Sequence, residues 1–313
     1  LATFGYDLIM MEFPPRIAAL RQTLLSRIPC TPEARGELGA EDLRGLIVHY
    51  LNYASRFVPP RPRQVIYADG FWTSQAQKLI VEVLAIEREI EAGVEITARL
   101  SNDLKGDGYI ARKTAPVARP SKWSGKDFAL NAFGIHHLHI GARNEKGEVQ
   151  HADPLLYVRF FRDCAVFLMV GHHKSFDDGS LAETFGRWQA QSGYEVKGIV
   201  IPEDQGSDFK EQSQIARRGL STFAQVNGKL VLGANLSSSG HSAEVSILSG
   251  RMVRELKRIE PLLDDRSYLE KVFYRIADRL PEKLDLIWTF DVCDLMLLAP
   301  QADASWRVLE MGC

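Results

Sequence analysis

Phe128-Ala-Leu-Asn-Ala-Phe-Gly-Ile-His-His-Leu-His-Ile-Gly141, with Leu155-Leu-Tyr-Val-Arg-Phe-Phe161, Ala165-Val-Phe-Leu-Met-Val170 and Gly171-His-His-Lys174 after it, is the stretch on which the reading of this chain turns. Alternation puts His137 and His139 on one face of a strand and His136, Leu138 and Ile140 on the other. The two apolar runs that follow flank a tight turn at Arg162-Asp163 and read as a β-hairpin, with Tyr157 and Arg159 on one face. A guanidinium in so apolar a strand needs a partner or an opening to solvent. Ser180-x-x-Glu183 then reads as a capping box, opening a helix that buries Leu181, Phe185 and Trp188.

Six of the eight histidines fall between 136 and 173. Imidazole is the side chain whose charge changes near neutral pH, so the clustering points to a functional site. His172, His173 and Lys174 stand just before a helix N-terminus, where free N–H groups and the helix dipole favour an anion such as phosphate. A polar hairpin end whose histidines only bond backbone would give the same string.

Outward from this stretch, 313 residues with 45% apolar and 25% charged side chains suit a globular chain of two or three domains. A net charge of −2 gives no global attraction to polyanions, so nucleic-acid binding would need a local patch. Cys30, Cys164, Cys293 and Cys313 have neither CxxC nor zinc spacing and read as reduced, mostly core thiols. No apolar run reaches the roughly 18 to 20 residues that span a bilayer, and no signal peptide is visible, so the expectation is cytoplasmic with no membrane partner. Residues 1–9, ahead of Met10-Met11, are expected to lie outside the fold as an upstream remnant.

Residues 10–100 read as a helical region. Ile17, Leu20, Leu24 and Ile28 recur at helical spacing, as do Leu43, Leu46, Ile47, Tyr50, Leu51, Ala54 and Phe57. After the short apolar run Val65-Ile66-Tyr67, a helix over 74–91 turns Ala76, Leu79, Ile80, Val83, Ile86 and Ile90 inward, capped by Gly93. Residues 101–127 lose periodicity and read as a basic loop or linker. Its Lys105, Arg112, Lys113, Arg119, Lys122 and Lys126, with Trp123 among them, suit phosphate contact and base stacking, and Arg143 extends this candidate RNA-binding set. A solvated linker has the same composition.

Residues 191–313 read as a C-terminal α+β domain. It has a strand over 194–201, a helix over 215–224, an Asn227-Gly228 hairpin turn, a long helix capped by Ser242, a helix over 267–280 and three terminal strands. The Ser237-Ser-Ser-Gly-His-Ser242 loop is a second candidate anion site at a helix start. Arg44-x4-His49 has the spacing of HEPN-type ribonucleases, though a solvated Arg and a satisfied His account for the pair equally well. A His-triad hydrolase would need a third alternating histidine, and no Walker, GxGxxG, GxSxG or HExxH motif is present.

The order of His139 and Gly141 on a strand, Tyr157 and Arg159 on the next, a hairpin, and Gly171, Lys174 and Ser175 before a helix resembles the core of the RelE/ParE toxin superfamily. The resemblance covers about residues 128–189, and the Gly-Ile-His-His-Leu-His-Ile-Gly string also resembles uncharacterised bacterial proteins. It implies a central small antiparallel sheet with a helix, RelE-like, over 128–190 of an α+β protein. It further implies RNA or the ribosome as target and an antitoxin as partner; a homodimer is a separate expectation, because the long amphipathic helices and terminal apolar hairpin of residues 191–313 suit a dimer surface as well as an internal core. The expected activity is metal-independent RNA cleavage without a cofactor. His137 or His139 would serve as base or acid with His173 as counterpart, Arg159 and Lys174 as phosphate clamps, and Tyr157 as hydrogen-bond donor. Two alternatives stay open: a non-catalytic RNA-, ribosome- or protein-binding module, and a metal-dependent hydrolase using the histidines.

Overall fold

The computed structural model describes residues 13–101, 106–111, 126–145, 147–150, 153–199 and 207–311. The expectations for residues 1–9 and Cys313 lie outside them. The fold is α+β, as expected.

The first helix, α1 (Pro15–Arg27), starts on a proline whose missing N–H costs nothing there and buries Ile17, Leu20 and Leu24. Thr31 caps α2 (Pro32–Gly39), a short helix that the sequence reading passed over because only Ala34 and Leu38 are buried. Asp42 caps α3 (Leu43–Ala54), accepting from the Gly45 N–H. Next comes β1 (Gln64–Tyr67). The expected helix over 74–91 is two, α4 (Ser74–Lys78) and α5 (Ile80–Glu91), because Leu79 leaves helical geometry at φ −113°, ψ 23°. The break turns Ile80 outward, 44% exposed, while Val83, Ile86 and Ile90 face the core. Gly93 ends α5 at φ +69°, where a Cβ would sit 2.7 Å from Pro62; only glycine fits.

Asp127 caps α6 (Phe128–Phe133), and Gly134 in the left-handed region redirects the chain into β2 (His136–His139). The expected hairpin is present as β3 (Leu155–Phe160) and β4 (Cys164–Gly171). The sheet order is β1-β4-β3-β2, with β1 parallel to β4 and the other pairs antiparallel. The sheet is therefore mixed, its fourth strand supplied by the segment that read as helical. One face packs on α5 through Leu138, Leu156, Val158 and Phe167. The other carries Leu155, Tyr157, Val166 and Leu168 against α6 and α7 (Ser180–Gln191). The Ser180/Glu183 capping box does not form. Gly179 holds the cap position, Ser180 bonds Asp178 through both its N–H and its hydroxyl, and Glu183 pairs with Arg187. The nearer carboxylate has captured the serine.

Beyond α7 the expected 194–201 strand reduces, among the described residues, to one bridge between Glu195 and Val231. Left-handed Gly193 and Gly198 flank it, and positions 200–201 lie outside the described residues. The next helix, α8 (Phe209–Arg217), lies earlier than expected, because Phe223 and Ala224 belong to β5 (Phe223–Val226). Asn227 and Gly228, both at positive φ, turn β5 into β6 (Lys229–Leu232) as expected. The long helix is α9 (Ala243–Ile259). Ser242 holds its cap position without a side-chain cap bond and donates its N–H to Asn131 instead. The expected 267–280 helix is α10 (Arg266–Val272) followed by a 3-10 segment kinked at Ile276. The terminal strands β7 (Ile287–Asp291), β8 (Asp294–Ala299) and β9 (Ala304–Leu309) form an antiparallel sheet.

The α1, α2 and α3 helices share one core with α9 and this terminal sheet, so the two ends of the chain fold together. Glu260 ties the layer, accepting from the Trp288 indole at 2.6 Å and from Arg16 at 2.9 Å. Of the thiols among the described residues, only Cys293 is fully buried; Cys30 and Cys164 are half-buried rather than core. No helix among the described residues is long and apolar enough to cross a membrane.

Candidate active site

Register builds the site. His137 stands opposite Tyr157, and His139 opposite Leu155, on the same sheet face, while Leu138 is consumed by the core on the other. At the far end of β4 the chain folds back in a 3-10 turn, His173–Phe176. Gly171 permits this, because a Cβ there would meet Ser175 Oγ at 2.7 Å and Met169 at 2.9 Å. The turn returns His173 to the strand it left. The rings of His137, His139 and His173 form a near-equilateral triangle, with centroids 6.2, 6.2 and 5.9 Å apart. Phe176 packs edge-on against His137 and Tyr157 beneath it.

Two carboxylates back this triangle, and the sequence reading named neither. Asp153 Oδ1 accepts from His173 twice, from ring Nδ1 at 2.7 Å and from the main-chain N–H at 3.1 Å. Desolvation would raise the Asp153 carboxyl, but the His173 bonds and charge together outweigh it and hold it below the ordinary value. Asp127 uses Oδ1 to cap α6 at Leu130, leaving Oδ2 3.5 Å from His137 Nδ1. His139 is buried, 3% exposed, and Arg99 grips the carbonyls of His139 and Gly141 where β2 ends. His173 and Lys174 are exposed. The triangle thus has a buried floor and an open rim.

The structure does not bring every expected residue here. Tyr157 is fully buried and donates its hydroxyl to the His172 carbonyl at 2.9 Å, with burial and nearby carboxylates pushing its pKa up. It is a strut under the 3-10 turn rather than a donor to a ligand. Arg159 shares the Tyr157 face but lies farther along β3, past a register shift. It donates to the Phe133 carbonyl at 2.8 Å and lies over the rings of Phe161, Phe185 and Trp188. There it lines a separate cavity of about 320 Å³ with Arg63 and His136. Arg159 is thus a packing residue, since the aromatic cluster under α7 gave it the partner that an apolar strand demands. Arg143 forms a two-pronged ion pair with Glu89 instead of joining a phosphate-binding set.

Lys126 directly precedes Asp127 and is half-buried; Lys105, Arg112, Lys113, Arg119, Lys122 and Trp123 lie outside the described residues. Half-buried His136 donates Nε2–H to the Ser55 carbonyl, and desolvation pushes its pKa down to about 4. The Arg44/His49 pair separates, Arg44 bonding the Ser246 carbonyl while the His49 ring packs against Tyr109 and His241. The Ser237–Ser242 loop closes on itself through the Ser237, Ser239 and His241 side chains. Among the described residues no three His, Cys, Asp or Glu side chains are placed to share one metal ion.

A signal for the carboxylates existed only in part. Asp127, just ahead of an apolar run, is a readable helix cap; Asp153, before a proline, has no local signature. No protein-family model matches the chain, and no curated protein or solved structure matches it either.

Proposed function

We propose that the chain is a metal-independent endoribonuclease of the toxin or phage-defence kind, with His137, His139 and His173 as its acid–base groups. The observation that supports this reading is the triangle of imidazoles with carboxylates at the Nδ1 edges of two of them. A carboxylate at Nδ1 leaves Nε2 for the substrate, which is the division of labour that acid–base catalysis by histidine requires.

In the reaction a neutral imidazole takes the proton of the ribose 2′-hydroxyl and the 2′-oxygen bonds to phosphorus. The P–O5′ bond breaks and an imidazolium protonates the departing 5′-oxygen. The products are a 2′,3′-cyclic phosphate and a 5′-hydroxyl. Exposed His173 suits the base; His137, with Asp127 as counter-charge, suits the acid. Lys174, on the same exposed turn, meets the phosphate, and the basic 105–126 segment leads in sequence directly to Asp127. RNA is the substrate, free or on the ribosome, and an antitoxin the protein partner.

One observation favours a second reading, metal-dependent hydrolysis: metal-bound imidazoles are also backed by carboxylates on the far nitrogen. Incubating purified protein with RNA, with and without translating ribosomes and with and without chelator, separates the readings when wild type is compared with a folded His137→Ala/His173→Ala variant. Chelator-resistant cleavage that the variant loses is the expected result. Cleavage stopped by chelator selects the metal enzyme, and no cleavage with retained RNA binding selects a binding module.

A further inference from the structure

We infer that Asp153 is a positioning residue that fixes His173 in the Nδ1–H form and thereby presents its Nε2 lone pair as the base. The inference rests on the proposed acid–base role of His173.

The chemistry of the contact settles its direction. An ionised carboxylate has no proton to give, so a ring nitrogen 2.7 Å from Asp153 Oδ1 must be the donor. Nδ1 therefore carries the proton, and in the neutral ring Nε2 holds the lone pair. The same oxygen accepts the His173 main-chain N–H at 3.1 Å. One atom thus clamps the ring and its own backbone together, fixing the ring's orientation as well as its proton.

The clamp is itself anchored. Asp153 precedes β3, whose register against β2 places His137 and His139, and the adjoining Pro154 carbonyl accepts the Ile140 N–H at 3.3 Å. His173 follows β4, beyond the pairing of Leu155 with Gly171. The contact therefore ties the returning turn to the strand pair that carries the other two imidazoles. During the reaction the proton from the 2′-hydroxyl goes to His173 Nε2, and the charge on the resulting imidazolium is met by Asp153 without a second proton transfer.

The test uses the whole chain with ¹⁵N-labelled histidine, and compares wild type with Asp153→Ala, Asp153→Asn and Asp153→Glu. Nitrogen shifts report the tautomer of His173 whether or not RNA is cut. The expected result is an Nδ1–H signal in wild type, its loss in Asp153→Ala, and its recovery in Asp153→Glu. In the cleavage assay Asp153→Asn, which keeps an acceptor without charge, lowers kcat about 10²-fold or more with KM little changed. A contact that only stabilises the fold moves the melting temperature and leaves the tautomer and kcat alone. That outcome, or an Nε2–H signal in wild type, overturns the inference. Absence of cleavage by wild type overturns the nuclease reading, and the tautomer signal then decides the role of Asp153 by itself.

Discussion

Glu89 is the place where stability, pH and the site meet. Its carboxylate receives Arg99 at 2.7 and 2.8 Å and Arg143 at 3.0 and 3.0 Å, and Arg99 in turn holds the carbonyls that end β2 next to His139. Burial alone would raise the carboxyl, but the two guanidiniums override it and bring it down from 4.5 to about 2. That drop of about 2.5 units corresponds to a ceiling of ~3.4 kcal/mol, at ~1.36 kcal/mol per unit. Solvent screening at this partly exposed pair reduces it to about 2 kcal/mol. Because the folded value lies below the unfolded one, this stability is complete above pH 4.5 and is lost as pH falls toward about 2. Glu89→Gln should therefore cost about 2 kcal/mol at pH 7, with the gap to wild type closing across that window. Urea unfolding of both proteins at pH 7, 4 and 2.5 measures it. A gap that is independent of pH, or under about 0.5 kcal/mol at pH 7, would refute the reasoning.

Other expectations follow from the same geometry. Arg159→Ala should lower stability by about 1–3 kcal/mol through lost ring and carbonyl contacts while leaving RNA cleavage within a few-fold of wild type; a loss as deep as that of His173→Ala would return Arg159 to the chemistry. Gly171→Ala, which drives a Cβ into Ser175 Oγ at 2.7 Å, should displace the His173 turn and cost cleavage more than it costs melting temperature. Half-buried His136, depressed to about 4 against an ordinary 6.5, makes the fold less stable as pH falls between those values. His136→Gln, which keeps a donor for the Ser55 carbonyl, should flatten that slope in denaturation series, and an unchanged slope would count against the burial argument. Trp288→Phe should cost about 1–3 kcal/mol by stranding buried Glu260 without its indole donor, as read by chemical unfolding.

The sequence by itself determined whatever local periodicity and turn chemistry encode. Alternation in His136-His-Leu-His139 put His137 and His139 on one face, the apolar runs about Arg162-Asp163 made the hairpin, and Asn227-Gly228 marked a turn that requires positive φ. Each feature concerns neighbours a few residues apart, where backbone geometry alone sets which side chains share a face. Only the tertiary structure decided the rest. The parallel pairing of Gln64–Tyr67 with β4, the clamp of Asp153 on His173 and the diversion of Arg159 and Arg143 join residues far apart in the chain. An ion pair or hydrogen bond between distant segments leaves no periodic trace. A cation such as Arg159 takes whichever acceptors and rings packing brings to it, so its residue type announced a need for a partner without saying which one.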